Sequence, residues 1–332
     1  MVILRAFTRT IFINCILCFS AHAIAAVAAI TTLDLSTYAD KDGAISIQEH
    51  GDTIDPYFVL QALLLAHDHG LSNKVISKKW INWLIVRQKP DATFDRFCKV
   101  GPVWAPCKTA DADDALLALW IRLLEALPED LKTSLTWQQS RIRSINALSQ
   151  LIDANRGIYL VSPVYQHGLF MDNLEVLSYQ STDRDNDKLL PTKTLENNIR
   201  RLFWDQQRKI FLVSTQAEQK EMASKFYPDQ VAQIFPLLYR NNGIITTNRH
   251  QYYQQWMRRH RQEWLMQSRE DFAWGLIAVI AQQEGDSESA RCWMRDAGRT
   301  RHTPHWIVSD EVAWQILSKD GLNPAANNTK CL

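Results

Sequence analysis

The sequence predicts an all-α fold built from paired helices. Helix-type periodicity dominates, and strand-type signals are confined to two short stretches, 157–161 and 210–213. The apolar residues cover nearly all sides of segments 55–66, 115–127 and 272–281, as expected of buried helices, whereas segments 135–154, 191–207 and 248–267 carry many charges. An inner layer of apolar helices surrounded by charged ones is typical of an α-toroid or a curved solenoid of helix pairs.

Eleven segments have helical periodicity, and short loops join them. Acidic or Asn residues stand near several starts, as N-caps require, and Pro or Gly residues stand near several ends. The predicted helices span 55–70, 74–89, 111–127, 135–154, 170–180, 191–207, 229–240, 248–267, 270–283, 286–298 and 307–319. Within the helix at 229–240, Pro236 predicts a kink or a locally unwound turn.

The first 23 residues have the composition of a secretory signal peptide. Arg5 and Arg9 precede a short apolar run, and a small-residue A-x-A site ends at Ala23. Export to the periplasm or beyond is therefore expected, with residues 24–332 forming one domain that has no membrane span. Removing the segment takes two Arg and no acid, so the formal net charge falls from +1 to about −1. A near-neutral chain does not predict a nucleic-acid partner.

Four cysteines remain after residue 23, an even number that indicates disulfides in an exported protein. Three pairings are possible; Cys98 with Cys107 is the local one, and it leaves Cys292 with Cys331. No metal-ligand spacing and no cofactor motif stands out. The segment from Tyr38 to Glu49 matches an EF-hand loop at Asp40, Asp42 and Glu49, but Tyr38 occupies the first ligand position, so a simple turn is favoured.

Acidic residues gather at the starts of four predicted helices. One carboxylate suffices for a helix cap, so groups of acids at one end of buried helices suggest a further role. Together with nearby aromatic rings, separated carboxylates are typical of glycoside hydrolysis, and 12 Trp and 9 Tyr supply such rings. The acids are Glu49, Asp52 and Asp55; Asp111, Asp113 and Asp114; Asp172 and Glu175; and Asp229. The aromatic residues beside them are Tyr57, Trp104, Tyr165 and Tyr227. Four other tryptophans are predicted core residues: Trp80, Trp83, Trp120 and Trp274.

Three of these segments resemble known glycosidase motifs. Thr109–Leu119 resembles the A-S-D-A-D segment of family-eight glycoside hydrolases, the bacterial endoglucanases and their relatives, and Tyr227–Leu237 is similar to their Y-D-A-x-R-x-P-L segment with Gln233 in place of Arg. Asp172–Val176 resembles a D-N-x-E-V pattern of six-hairpin glycosidases. The resemblance implies an (α/α)6 toroid and inverting hydrolysis of a bacterial polysaccharide.

Roles follow from the resemblance for each acidic segment. Asp52, Asp55 or Glu49 would donate the proton, and Asp229 would activate water. Asp114 or Asp111 would hold sugar hydroxyls at the scission point, while Asp172 and Glu175 would line the cleft.

Two other functions stay open. A polysaccharide lyase would use a His or Tyr base, such as His167 near Tyr165 or His50 near Tyr57, but acidic loops suit an acidic sugar poorly. A catalytically inactive polysaccharide-binding or scaffold protein is favoured by Gln233 and by the altered segment around Glu49.

Overall fold

The computed structural model describes residues 32–110, 112–127, 132–180, 188–218, 224–239, 243–324 and 331. Residues 31–332 form one compact unit by their internal contacts. The predicted signal peptide, residues 1–23, and Asp111 lie outside the described residues. Within the described part of the chain, no helix is long and apolar enough to cross a membrane.

The fold is mainly α-helical, and a helix occurs in each of the eleven predicted segments. Most boundaries lie one to five residues inside the predicted ones, since capping and turn residues end the helices early. The helices are α1 Pro56–Asp68, α2 Lys74–Ile85, α3 Asp113–Ala126, α4 Leu135–Gln150, α5 Phe170–Gln180, α6 Thr192–Phe203, α7 Val231–Ile234, α8 Arg249–Met266, α9 Gly275–Gln283, α10 Ser287–Ala297 and α11 Val308–Lys319.

The predicted helix at 229–240 is divided into three pieces. A π-type turn at Phe226–Gln230, in which Tyr227 has extended backbone angles, precedes α7, and a 3-10 turn at Phe235–Leu238 follows it. Pro236 lies in that last turn. Because proline lacks an N–H group and crowds the preceding turn, a regular α-helix does not continue through it.

Burial follows the predicted division into inner and outer helices. Helix α1 is buried over most of its length, and so are α3 and α9. The charged helix α6 buries a single face through Leu195, Ile199 and Phe203. Trp80, Trp83 and Trp120 are core residues, as predicted.

Six inner segments contact one another in a fixed order. Helix α1 contacts α3 and α11, α3 contacts α5, and α5 contacts the 3-10 turn at Phe235–Leu238. That turn contacts α9, and α9 contacts α11. Helices α4, α6, α8 and α10 pack behind α3, α5, α7 and α9 respectively.

Three small antiparallel sheets modify the predicted all-α fold. Strands β1 (Thr53–Ile54), β2 (Asp95–Val100) and β3 (Val103–Thr109) form one sheet, with β2 in the middle. The pairs β4 (Ile152–Asp153) with β5 (Ile158–Tyr159) and β6 (Trp204–Asp205) with β7 (Ile210–Phe211) fall where extended stretches were predicted. The β2–β3 hairpin was not predicted, because two prolines and two cysteines obscure its strand alternation.

Both favoured disulfides are present. The bond between Cys98 and Cys107 joins β2 to β3, with a Cα–Cα distance of 5.7 Å. The bond between Cys292 and Cys331 fastens the end of the chain to α10. Disulfides of this kind are typical of proteins that fold in an oxidising compartment.

Candidate functional site

A cluster of three buried carboxyl groups lies where α3 packs against α5. Asp114 is in the first turn of α3, and Asp172 and Glu175 stand one turn apart near the start of α5. Asp114 and Glu175 are fully buried, whereas Asp172 keeps 8% of its surface exposed. Asp172 is therefore the least buried member of the cluster, although its Oδ2 is itself buried.

Burial raises the pKa of Asp114 well above its usual range. The negative charge of Asp172 raises it further, with a smaller effect from Glu175. Its Oδ1 accepts a hydrogen bond from the backbone N–H of Ala115 at 2.9 Å, which partly opposes the rise. Its Oδ2 is buried and has no hydrogen-bond partner among the described residues. The protonated form is favoured, because three neighbouring carboxyls in a dry site cannot all ionise.

Glu175 is held by a tyrosine of α1, the inner helix on the other side of α3. The Tyr57 hydroxyl donates to Glu175 Oε1 at 2.8 Å, and Gln61 Nε2 donates to the Tyr57 oxygen at 3.2 Å. Burial, and then the charge of Asp172, raises the pKa of Glu175 well above its usual range, while Tyr57, Gln61 and the more distant Arg122 act in the opposite direction. Within the described part of the chain, Glu175 Oε2 has no hydrogen-bond partner.

A group of aromatic side chains is joined to the cluster through Tyr57. The ring of Tyr227, half exposed, stacks on Trp274 with centroids 5.1 Å apart. Tyr57 packs edge-to-face on Phe58, which packs in the same way on Phe272. Tyr227 and Tyr57 lie close enough for their hydroxyls to interact electrostatically. This set, called the aromatic rim below, consists of Tyr57, Phe58, Tyr227, Phe272 and Trp274.

Trp274 was predicted as a core residue, but it is not fully buried. Its side chain is half-buried beneath Tyr227, and its backbone is left-handed, with φ of 54°. Such a conformation is costly for a bulky residue and often marks a functional position. The backbone is held there by Asp310 Oδ1, which accepts a hydrogen bond from the N–H of Gly275 at 2.7 Å. A pattern of apolar residues predicts burial but cannot predict this local conformation.

The three acids predicted as proton donors have other contacts. Glu49 pairs with His302, and this hydrogen bond lowers the pKa of Glu49. Asp52 is exposed and accepts from the Thr53 hydroxyl at 3.2 Å. Asp55 caps α1 and pairs through Oδ2 with Arg96 Nε at 2.6 Å. Asp55 thus contributes to the start of the helix that carries Tyr57.

Asp229, the predicted base, lines a separate cavity of about 220 Å³ beside β7. Its Oδ2 accepts a hydrogen bond from the backbone N–H of Lys225 at 2.9 Å. Gln233, on the same wall, binds the backbone of Phe211 at both its N–H (2.8 Å) and its C=O (2.9 Å). Gln233 therefore anchors the β6–β7 hairpin.

The remaining predicted residues are Asp113, whose charge acts on Asp114, and two aromatic residues that have other contacts. Burial raises the pKa of Asp113 to about 6, with Lys89 and Asp91 acting on it in opposite directions. Trp104 Nε1 donates to Asp40 Oδ2 at 2.9 Å, and Tyr165 is 62% exposed with its ring against His167.

The EF-hand-like segment is organised as a turn. Asp40 Oδ1 accepts from the N–H groups of Asp42 (2.9 Å) and Ala44 (3.0 Å), so this oxygen is occupied by the backbone. Among the described residues, no group of three or more His, Cys, Asp or Glu is arranged to hold a metal ion.

Three residues of the site were not predicted. Gln61 and Arg122 are polar residues within otherwise apolar helices, and this interruption was their only sequence signal. Arg122 forms an ion pair with Asp68 at 2.7 Å, and its charge acts on both Glu175 and Tyr239. Burial and the charge of Glu175 raise the pKa of Tyr239 well above its usual range.

No family model matches the sequence, and no curated protein matches it. Among solved structures, the chain is similar to a novel alpha-amylase from Clostridium perfringens, with a TM-score of 0.58 and 10% sequence identity. The superposition covers 86% of this chain and 94% of the other. The chain therefore shares its fold with a glycoside hydrolase.

Proposed function

We propose that the protein is a glycoside hydrolase whose active site is the Asp114, Asp172 and Glu175 cluster beneath the aromatic rim. The observation that supports this most is the placing of three carboxyls in one buried site, where Asp172 is the least buried member. Such a site keeps a proton at neutral pH, as a general acid must. The fold shared with an alpha-amylase supports the same reaction class.

The proposed architecture is a closed (α/α)6 toroid in a single domain. The contact order of the six inner segments returns to its start, since α11 contacts α1. Tyr57, Asp114 and Asp172 lie in the first turns of their helices, and Trp274 immediately precedes α9. In a toroid these helix starts meet on one face, where helix dipoles favour negative charge.

We assign Asp172 as the proton donor because it is the least buried of the three carboxyls. Asp114 and Glu175, which are fully buried, support Asp172 from within the fold and not by contact with a sugar. Asp229 remains the proposed base for an inverting reaction. The Tyr227–Trp274 pair offers a ring face on which a sugar can stack, as aromatic rings with one polar end commonly do.

The two disulfides also support a location outside the reducing cytoplasm. We therefore propose a periplasmic or secreted enzyme that acts on a polysaccharide.

The test is reducing-end release from a panel of α-glucans, β-glucans and bacterial exopolysaccharides. Asp172→Asn keeps the shape of the side chain but removes the transferable proton, so the rate should fall by roughly 10²- to 10⁴-fold. Asp52→Asn, which changes an exposed acid outside the cluster, is the matched control and should retain the parent rate. Asp229→Asn tests the base, and NMR of the first product tests inversion at the anomeric carbon.

Parent-like release by Asp172→Asn would contradict the assignment. A second candidate function, carbohydrate binding without catalysis, is favoured by the structural use of Gln233 and by the full burial of Asp114 and Glu175. It predicts binding but no release from any polymer. Products that absorb as unsaturated uronates would instead identify a lyase.

A further inference from the structure

A second cavity lies apart from the carboxyl cluster. It has a volume of about 430 Å³ and is enclosed by the end of α6, the β6–β7 hairpin, residues 244–247 and the start of α8. This volume is within the usual range for small-molecule sites, roughly 300–1,000 Å³. The phenyl ring of Phe211 forms part of its wall and stacks on Phe170, the first residue of α5, at 4.5 Å.

The lining has the chemistry of a sugar site. The rings of Trp204 and Tyr252 supply apolar faces, and Thr246, Thr247 and Gln251 supply hydroxyl and amide groups. Tyr252 is held in place because its hydroxyl donates to the carbonyl oxygen of Gln233 at 2.7 Å. Aromatic faces combined with neutral hydrogen-bonding groups suit a ligand that has C–H faces and many hydroxyls.

The charge of this lining is positive. Arg200 and Lys209 face the cavity, and no carboxylate is among the described residues that line it. The Arg200 guanidinium is oriented by hydrogen bonds to the Gly243 carbonyl and the Asn197 amide, both at 3.2 Å. Glu196, one turn before Arg200, pairs with Lys193 at 2.9 Å.

Lys209 occupies a backbone position that disfavours it. Its φ is 58°, whereas Gly157 occupies the corresponding position of the β4–β5 hairpin with φ of 65°. The two turns are otherwise alike: the Asp153 and Asp205 carboxylates each accept two backbone N–H groups within their turn. Glycine is the ordinary choice at such a position, so the backbone of Lys209 is strained. This strain suggests that the lysine side chain has a function.

We propose that this cavity binds an anionic sugar unit, a uronate, with Lys209 and Arg200 at its carboxylate and Trp204 against its ring. Two cations with no carboxylate among the described lining residues favour an anion, and the guanidinium can bind a carboxylate through two donors. Binding here does not depend on hydrolysis at the carboxyl cluster. The site would anchor a charged polysaccharide outside the catalytic centre.

The experiment is calorimetric titration of Asp172→Asn, which cannot consume the ligand, with trigalacturonate and with neutral maltotriose and cellotriose. Trigalacturonate should bind more tightly than either neutral sugar, and raising the salt concentration should weaken it. Introducing Lys209→Gly into this Asp172→Asn protein should weaken the binding of trigalacturonate by about tenfold, the effect of losing one charge-assisted hydrogen bond. Adding Arg200→Gln should have a similar effect.

Lys209→Gly separates loss of binding from loss of folding, because glycine adopts the left-handed backbone conformation without strain. Its melting temperature should therefore equal or exceed that of the parent. Lys78→Gln, an exposed lysine on α2, is the matched control and should bind as the parent does. Equal binding of charged and neutral sugars, absence of trigalacturonate binding, or parent-like binding by Lys209→Gly would each overturn the proposal. Absence of polysaccharide hydrolysis by the parent protein, with this binding intact, would contradict only the proposed catalytic function.

Discussion

The hydrogen bond between Tyr57 and Glu175 should make the stability of the protein depend on pH in a defined way. Burial raises the pKa of Glu175, and the Tyr57 hydroxyl partly opposes that rise. Below about pH 4, the usual pKa of a glutamate, the carboxyl is protonated in both the folded and the unfolded chain. As the pH rises through the higher pKa of the folded state, the stability contributed by burying the neutral acid is lost.

Tyr57→Phe removes a hydrogen bond of 2.8 Å. A neutral hydrogen bond contributes about 1 kcal/mol to the free energy of unfolding, and a bond to a charged group roughly 1.5–3 kcal/mol. The cost of Tyr57→Phe should therefore be about 1 kcal/mol while Glu175 is protonated, and should grow to roughly 1.5–3 kcal/mol as Glu175 ionises. For the same reason, Tyr57→Phe should raise the pKa of Glu175 further, because the hydrogen bond that opposes the rise is removed.

The assay is urea unfolding of four chains between pH 4 and pH 9: the parent, Tyr57→Phe, Glu175→Gln and the double variant. Glutamine keeps a neutral acceptor for Tyr57 but cannot ionise, so Tyr57→Phe should cost the same at every pH in that background. A cost that is independent of pH in the parent background would refute the reasoning. So would an equal pH dependence with Gln at position 175.

Three further outcomes are expected. Gly275→Ala should lower the free energy of unfolding by about 1–3 kcal/mol, because the new Cβ would lie 2.7 Å from the Cβ of Ala313 in α11; an unchanged urea midpoint would contradict this packing. Asp55→Ala should lower the free energy of unfolding by roughly 1.5–3 kcal/mol by removing the charge-assisted hydrogen bond with Arg96, and Asp55→Asn should recover about 1 kcal/mol of this by keeping the helix cap. Asp113 has its pKa raised to about 6, so the stability that its neutral form contributes is lost as the pH rises from about 4 to 6. The melting temperature of Asp113→Asn should therefore decrease less over that range than the melting temperature of the parent.

The helices could be predicted because each one depends mainly on its own residues. The apolar surface of α3 covers nearly all sides, and the apolar residues of α6 lie on one face, so periodicity indicated both the helices and their burial. The β2–β3 hairpin depends instead on pairing between strands and on the disulfide between Cys98 and Cys107. Its strand character is weak within either segment alone.

The carboxyl cluster could be predicted in part. Asp114, Asp172 and Glu175 were candidates because acids at the starts of buried helices are conspicuous. Their relative importance could not be predicted, since a pKa depends on burial and on charges that come from other helices. The same sequence reasoning placed Glu49 and Asp55 among the proton donors, and only their contacts with His302 and Arg96 show a different use.

The sequence by itself determined which segments form helices, which of them are buried and which cysteines can pair locally, because these properties depend on neighbours along the chain. Only the tertiary structure decided that Tyr57 holds Glu175, that Trp274 lies beneath Tyr227 and that Lys209 faces a cavity with Arg200. These contacts join residues that are from 9 to more than 100 positions apart in the sequence. Their geometry is fixed by the packing of helices and hairpins against one another, which local periodicity does not encode.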